Sequence, residues 1–297
     1  MAGLYVDMKI MGYNLSCPKG VKVSKIKIRG KHGQISILIA RKEGITELAT
    51  GVLWIHGGGY ATGFKEMLYM GRGIDLVTRH GAVVISPAYT LSFKAPYPAA
   101  VDDCYDTLIY IREHAAELGI REDQIMVGGE SAGGGLTAAV CMMARDKKSV
   151  NVAFQMPLYP MIDNFDTESS KDNHNKVWNT RRNHQAWKMY LRDDADKEVS
   201  PYAAPARQSD FSGLPPAYTF VCTAEPFYCE TLTYIDNLKA AGIEACVDVY
   251  DGLFHAFDMN KPDLAISKEA IERFNERFAY AKEHYFAEQE MKDVLRT

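Results

Sequence analysis

The sequence predicts an α/β fold in which a mostly parallel central sheet is flanked by helices. Short apolar runs alternate with segments of helical periodicity for most of the 297 residues, and this alternation is typical of parallel strands joined by crossover helices. Each chemically suggestive motif directly follows a predicted strand, which is where parallel sheets bind their ligands. We therefore expect residues 1–297 to form a single domain, with at most a small cap.

In the first half of the chain, segments 21–29 and 34–40 are predicted to pair as a hairpin around the turn 30–33. Short apolar runs predict the strands that follow, at 52–55, 82–85 and 124–127. Helical spacing of apolar residues predicts helices over 66–80, 99–118 and 136–145.

A polar segment interrupts this alternation in the second half. Residues 163–204 carry no strand pattern and contain Trp178 and Trp187 in a helix-like stretch. They are therefore predicted to be an insertion rather than a layer of the sheet. The elements predicted on either side are strands 152–158, 217–222 and 245–250, and helices at 229–241 and from about 263.

The charge balance argues against a nucleic-acid-binding protein. The chain has 34 basic and 38 acidic residues, a formal net charge of −4, and no dense run of Lys or Arg. No stretch approaches the length of a membrane span, and residues 1–20 lack the apolar core of a secretory signal. None of the six cysteines has C-x-x-C or zinc spacing, which predicts free thiols, no metal site and a reducing, cytoplasmic location.

The stretch Gly129-Glu130-Ser131-Ala132-Gly133 matches the pattern G-x-S-x-G. A serine on a sharp turn from strand to helix has an exposed hydroxyl, and flanking glycines let the two elements approach without a Cβ clash. The helix N-terminus adds free N–H groups and a positive dipole end. Ser131 is therefore the predicted nucleophile; the alternative is a glycine-rich turn that merely begins a helix.

A second glycine-rich turn, His56-Gly57-Gly58-Gly59, follows the strand at 52–55. Glycines allow a peptide to turn its N–H groups toward a developing oxyanion. We expect the amides of Gly58, Gly59 and Ala132 to form such an oxyanion hole, with His56 bracing the loop. The alternative is a phosphate-binding loop, but no G-x-G-x-x-G or Walker pattern is present.

Among the eight histidines, His255 is the one that is both downstream of Ser131 and just past a predicted strand. It is therefore the predicted general base, with a packed core histidine as the alternative. The acid that orients it should follow the preceding strand, 217–222. Glu225 is the first carboxylate there, and Glu230 and Asp251 remain open as alternatives.

Together these residues resemble the hormone-sensitive-lipase-like family of carboxylesterases, also called α/β-hydrolase fold-3. The resemblance runs from about 52 to 258. It is carried by the stretches His56-Gly57-Gly58-Gly59-Tyr60, Gly129-Glu130-Ser131-Ala132-Gly133-Gly134, Ser200-Pro201-Tyr202-Ala203-Ala204-Pro205-Ala206-Arg207 and His255-Ala256-Phe257-Asp258. The family usually has Asp where this chain has Glu225, and Tyr-Arg-Leu-Ala-Pro-Glu where it has Tyr89-Thr90-Leu91-Ser92-Phe93-Lys94.

The resemblance implies an α/β-hydrolase fold with a cap contributed by about 1–20 and 163–200. It also implies hydrolysis of short-chain acyl esters (acetyl to butyryl), a homodimer and no cofactor. Tyr60 and Trp178 are expected to line a compact apolar pocket, although the tryptophan could instead anchor the cap. The same residues would serve an amide or formamide hydrolase. A non-catalytic small-ligand receptor on this fold is a further alternative, but such receptors lack the histidine found here at His255.

Overall fold

The computed structural model describes residues 16–289, and an eight-stranded sheet runs through this part of the chain. The strands are β1 (Val21–Gly30), β2 (Gly33–Lys42), β3 (Ala49–Ile55), β4 (Val83–Pro87), β5 (Ile120–Glu130), β6 (Phe154–Leu158), β7 (Ala217–Cys222) and β8 (Ala245–Tyr250). Their order is β1-β2-β4-β3-β5-β6-β7-β8. The predicted hairpin of β1 and β2 is antiparallel, as is the pairing of β2 with β4, and every other neighbouring pair is parallel. The prediction of a mostly parallel sheet is confirmed.

Helices cover both faces of the sheet. They are α1 (Gly73–Thr78), α2 (Ala99–Glu113), α3 (Ala115–Leu118), α4 (Ala132–Asp146), α5 (Thr180–Leu191), α6 (Tyr228–Ala240), α7 (Phe257–Asn260) and α8 (Ala265–His284), with 3-10 turns at Lys65–Tyr69, Arg192–Asp194 and Pro205–Arg207. Alternate residues of a strand point to opposite faces. In β3, Leu53 and Ile55 therefore pack with α2 and α4, whereas Val52 and Trp54 pack with α1 and α8.

Two predicted helices are broken in the structure. The segment 66–80 forms a 3-10 turn and then α1; between the two, the Arg72 amide donates to Glu130 Oε1 at 2.8 Å, and a Cβ on Gly71 would overlap the Glu130 carboxylate. The segment 99–118 divides at His114, whose φ of −117° interrupts the helix between α2 and α3. β5 is longer than predicted because its pairing extends from Ile120, opposite β3, to Glu130, opposite β6.

The predicted insertion lies between β6 and β7 and contains α5 but no strand. Asn179 caps this helix by accepting a hydrogen bond from the Arg182 amide at 3.0 Å. The inner face of α5 buries Trp187 and Tyr190 against Tyr60, with ring centroids 5.4 and 4.1 Å from that of Tyr60. Most of the N-terminal part assigned to the cap, residues 1–15, lies outside the described residues. No helix within 16–289 has both the length and the apolar character needed to cross a membrane.

Candidate active site

Ser131 lies on the turn between β5 and α4, with φ 59° and ψ −121°. A non-glycine residue in this region is strained, and it persists only where its surroundings fix the backbone. The Ser131 amide donates to the Leu158 carbonyl at 3.0 Å. Its own carbonyl accepts from the amides of Gly135 and Met161, each at 3.0 Å. The three bonds hold the turn, so the serine hydroxyl projects from a rigid backbone.

The two glycines of the pattern are required by close packing of backbone on backbone. A Cβ at either Gly129 or Gly133 would overlap the carbonyl oxygen of Ile55. Because the overlapping atom belongs to the neighbouring strand, it cannot move aside as a flexible side chain could. Glycine at both positions lets β5 and α4 close around Ser131.

Ser131, His255 and Glu225 form a continuous hydrogen-bonded series. His255 Nε2 is 2.9 Å from Ser131 Oγ, and His255 Nδ1 contacts Glu225 Oε2. All three side chains are buried. Because a carboxylate faces Nδ1, that nitrogen carries the proton and Nε2 is free to accept the serine proton.

Glu225 is held in place by the backbone of its own loop. Its second carboxylate oxygen, Oε1, accepts from the Cys222 amide at 2.8 Å, at the end of β7. Three rings surround His255: Tyr159 and Phe227 at 5.0 Å and Trp178 at 6.4 Å between centroids. Glu225 and His255 therefore meet in a largely apolar setting.

The two alternative acids lie elsewhere. Glu230 is buried, and its Oε1 accepts from the amides of Ile162 at 2.7 Å and Asp163 at 3.2 Å. Burial raises the pKa of this carboxyl well above its ordinary value. Asp251 is exposed and accepts from the Thr223 hydroxyl at 2.8 Å. Of the three candidates, Glu225 is the one that contacts His255.

The glycine loop after β3 turns its backbone toward Ser131. Gly58 and Gly59 have φ of 117° and 58°, which side chains disfavour. The Gly58 carbonyl accepts from the amides of Ala61 and Thr62, at 3.1 and 2.9 Å, and so closes the turn. Within residues 16–289, neither the Gly58 nor the Gly59 amide donates to another group. The Ala132 amide, at the first position of α4, has no partner inside its helix.

His56 supports this loop from behind. Its ring is buried, stacks on Tyr89 with centroids 4.2 Å apart, and has Nδ1 2.8 Å from the Gly57 carbonyl oxygen. The Tyr89 hydroxyl donates to the His56 carbonyl at 3.0 Å. Burial lowers the pKa of His56 to about 4. It is thus a neutral structural brace at physiological pH, as expected.

A cavity of about 160 Å³ opens beside Ser131 and His255. Its apolar walls come from Met67, Tyr159, Trp178, Ala256 and Met259, with the glycine loop on another side. Trp178 is thus one of the residues that line the cavity. The edge of the Trp178 ring lies so close to Gly59 that a Cβ at Gly59 would overlap it.

The position of Tyr60 does not support the expected substrate contact. Its ring is 1% exposed and stacks on Tyr190 of α5, and its hydroxyl donates to the Met161 carbonyl at 2.6 Å. The backbone of Tyr60 has φ 59°, and its ring lies in the core rather than among the residues that line the cavity. It joins the loop to the insertion.

Sequence reasoning missed a buried ionic network beneath the cavity. The Glu130 carboxylate accepts from the Trp54 indole at 3.0 Å and from the Arg72 amide at 2.8 Å. Burial raises the pKa of Glu130 to about 7. The Arg72 Nε lies 3.2 Å from Asp258 Oδ2. The feature of the sequence that could have indicated this network is the pair of glycines, Gly71 and Gly73, on either side of Arg72. No cluster within the described residues has the composition of a metal site.

Known proteins resemble this chain in sequence and in fold. A family model described as the alpha/beta hydrolase fold matches residues 52–259. The carboxylic ester hydrolase LipN of Mycobacterium tuberculosis is 32% identical over 247 residues, which cover 80% of this chain and 64% of LipN. An arylesterase of Saccharolobus solfataricus is 31% identical over 214 residues, covering 69% of this chain and 67% of that protein. The chain thus spans about two thirds of the length of these relatives.

Among solved structures, a bacterial heroin esterase superposes with a TM-score of 0.86 at 30% identity, over 94% of this chain and 90% of the other. An esterase, LipW, of Mycobacterium marinum superposes with a TM-score of 0.84 at 26% identity, over 94% and 87% of the two chains. The matched segment contains the glycine loop, Ser131, Glu225 and His255. By sheet order, site geometry and sequence, the chain belongs to the hormone-sensitive-lipase-like family of α/β-hydrolases, the fold-3 family.

Proposed function

We propose that this protein is a serine carboxylesterase that hydrolyses short-chain acyl esters, from acetyl to butyryl. The observation that carries the proposal is the hydrogen-bonded series of Ser131, His255 and Glu225 at the edge of a small apolar cavity. Its relatives support it, since they include proteins named as a carboxylic ester hydrolase, an arylesterase and a heroin esterase.

In the acylation step, Ser131 Oγ attacks the ester carbonyl while its proton passes to His255 Nε2. Glu225 stabilises the imidazolium that forms, because its carboxylate contacts Nδ1. Negative charge develops on the former carbonyl oxygen, and the amides of Gly58, Gly59 and Ala132 stabilise it. The tetrahedral intermediate collapses, the alcohol takes the proton from His255 Nε2, and Ser131 is left acylated.

Deacylation repeats these steps with water. His255 Nε2 accepts a proton from the water as its oxygen attacks the acyl carbonyl, and then returns the proton to Ser131 Oγ. The product acid leaves, and both side chains regain their starting protonation. No proton has to cross the protein, because His255 serves as base and acid in each half-reaction.

The size of the cavity supports the short acyl chain. A volume of about 160 Å³ is below that of pockets for drug-sized molecules, which span roughly 300–1,000 Å³. We assign residues 163–200 to a cap over this cavity. The contact of Trp178 with Gly59 supports this assignment, whereas residues 1–15 of the other expected cap segment lie outside the described residues.

The test is hydrolysis of p-nitrophenyl acetate, butyrate and octanoate by the purified chain, with and without a serine-directed organophosphate. We expect rapid turnover of the two short esters, slow turnover of the octanoate, and full loss of activity on stoichiometric labelling of Ser131. Ser131→Ala should remove turnover, and Ser209→Ala, at an exposed position, should not. An unlabelled, inactive protein with an intact fold would refute the proposal. Turnover of the matching anilides but not the esters would make the chain an amidase.

A further inference from the structure

We propose that Arg72 and Asp258 are positioning residues for this reaction. Their buried ion pair fixes the loop that carries His255 against the turn that carries Ser131. The inference rests on the proposed function for its activity readout, but it stands on contacts of its own. Neither side chain lines the cavity, so both would act through Ser131 and His255 rather than on the substrate.

Arg72 contacts the nucleophile turn through its backbone. Its amide donates to Glu130 Oε1 at 2.8 Å, and Glu130 directly precedes Ser131 in the chain. The glycines on either side of Arg72 permit this approach. A Cβ at Gly71 would overlap the Glu130 carboxylate, and one at Gly73 would overlap the ring of Trp54. The two glycines therefore allow the backbone around Arg72 to lie against the turn that carries Ser131.

Arg72 contacts the histidine loop through its side chain. The guanidinium Nε is 3.2 Å from Asp258 Oδ2, and the two side chains are 8% and 0% exposed. Asp258 lies on α7, which begins two residues after His255. A single residue thus joins the loops that carry the nucleophile and the base, although the two are far apart in sequence.

The histidine loop needs such an anchor because its backbone is strained. Ala256, directly after His255, has φ 55° and ψ 37°. A non-glycine residue with these left-handed angles is less stable than one in an extended or right-handed helical conformation. The loop keeps them because the Ala256 carbonyl accepts from Met259 and Asn260, at 3.2 and 3.0 Å, and because Asp258 is paired with Arg72.

Stability alone does not account for a fully buried ion pair at this place. Desolvation cancels most of the attraction between buried charges, so such a pair adds little net free energy compared with apolar side chains of the same size. It does specify geometry, because an unpaired charge here would be strongly disfavoured. Geometry matters for proton transfer between Ser131 and His255, where a displacement of about 1 Å can lower the rate about 100-fold.

The test compares kcat and KM of Asp258→Asn, Arg72→Met and Arg72→Lys with those of the wild type on p-nitrophenyl acetate. We expect kcat to fall about 10- to 100-fold in the first two variants, with KM within about twofold because neither side chain touches the substrate. Arg72→Lys should recover part of the loss, since it keeps a cation beside Asp258. The double variant should be no worse than the worse single variant.

Asp75→Asn is the matched control. Asp75 pairs with Arg72 at 2.9 Å from the solvent side and is 21% exposed, so its removal leaves the Arg72–Asp258 pair intact and should change kcat less than about twofold. If Asp258→Asn and Arg72→Met keep wild-type kcat and only unfold at lower temperature, the pair is structural and the proposal is wrong. Should Arg72→Met fail to fold, Asp258→Asn decides, because it keeps the shape of the side chain.

The rate of labelling of Ser131 by a fluorophosphonate is measured in parallel, because it reports the Ser131–His255 geometry without an ester substrate. We expect it to fall together with kcat in Asp258→Asn. A wild type that is labelled but does not turn over esters would refute the proposed esterase function alone. An unchanged labelling rate in Asp258→Asn would overturn the positioning role alone.

Discussion

Replacement of Glu225 by Gln tests the acid of the proposed triad, the member for which the sequence offers two alternatives. In the wild type, the carboxylate receives two donors: His255 Nδ1–H on Oε2 and the Cys222 amide, at 2.8 Å, on Oε1. Glutamine has the same shape but offers one acceptor and one donor. With a proton on His255 Nδ1, one of the two contacts would therefore be a donor facing a donor, whichever way the amide group is turned.

If the glutamine oxygen stays on the Cys222 amide, its NH₂ faces Nδ1. The imidazole then takes the other tautomer, in which Nε2 carries the proton and cannot accept one from Ser131. A wrong tautomer in such a triad lowers kcat by about 10⁴-fold, or about 5 kcal/mol at about 1.4 kcal/mol per factor of ten. The opposite rotamer of the glutamine amide keeps the His255 tautomer but leaves the buried Cys222 amide without an acceptor, which costs about 1–3 kcal/mol. In either rotamer, the substitution removes the negative charge that stabilises the imidazolium.

We therefore expect kcat of Glu225→Gln on p-nitrophenyl acetate to fall about 10³- to 10⁴-fold, with little change in KM. The reaction is followed by release of p-nitrophenolate, and active-site titration corrects for traces of wild-type enzyme. Glu230→Gln and Asp251→Asn are the matched controls, because both remove a carboxylate that does not contact His255. A Glu225→Gln rate within tenfold of the wild type would refute the reasoning. A large loss in Asp251→Asn instead would assign the acid role to that residue.

Three further predictions concern the scaffold, the cavity and a buried carboxyl. Gly133→Ala should unfold at a much lower temperature than the wild type or fail to fold, because its methyl group would overlap the Ile55 carbonyl. Gly242 has φ 78° and open space around it, so Gly242→Ala should lower the free energy of unfolding by only about 1–2 kcal/mol. Equal thermal stability of the two variants would contradict this prediction. Trp178→Ala should open the cavity and raise the octanoate-to-acetate rate ratio, and an unchanged chain-length profile would show that the ring does not limit the pocket. Burial raises the pKa of Glu130 to about 7 in the folded protein, so its stabilising contribution is present at low pH and is lost as the pH rises through about 7. Denaturant titrations between pH 5 and 8 should therefore show a smaller fall in the free energy of unfolding for Glu130→Gln than for the wild type, and parallel pH profiles would argue against this titration.

Much of the fold could be predicted because its signals are local. The sheet is predicted from the period of apolar residues. The Ser131 turn is predicted from Gly129 and Gly133, the two glycines that the close approach of β3 requires. The break in the predicted helix 66–80 could not be predicted in the same way. At the break, the Arg72 amide donates to the Glu130 carboxylate, and only the completed fold brings these two residues together.

The site was predicted in part for a similar reason. Sequence places an acid after a strand and so favours Glu225, the first carboxylate there, but it does not give the reach of the side chain, so Glu230 and Asp251 stay open as alternatives. The structure separates them by one contact, between Glu225 and His255. The expectation for Tyr60 rested on its proximity in sequence to Gly59, which gives no information on the direction of the ring. Stacking on α5 decides that direction.

The order of the site along the chain has a consequence for biosynthesis. β5 carries Ser131, whereas β7 and β8 carry Glu225 and His255, and the serine precedes the histidine by 124 residues. At about 5–20 residues per second, a ribosome would need about 6–25 s to add that interval. Throughout this time the serine would be an ordinary alcohol, since its hydroxyl is a weak nucleophile without a base. In the proposed mechanism, ester hydrolysis would therefore begin only after β7 and β8 have been made, since Glu225 and His255 follow these strands.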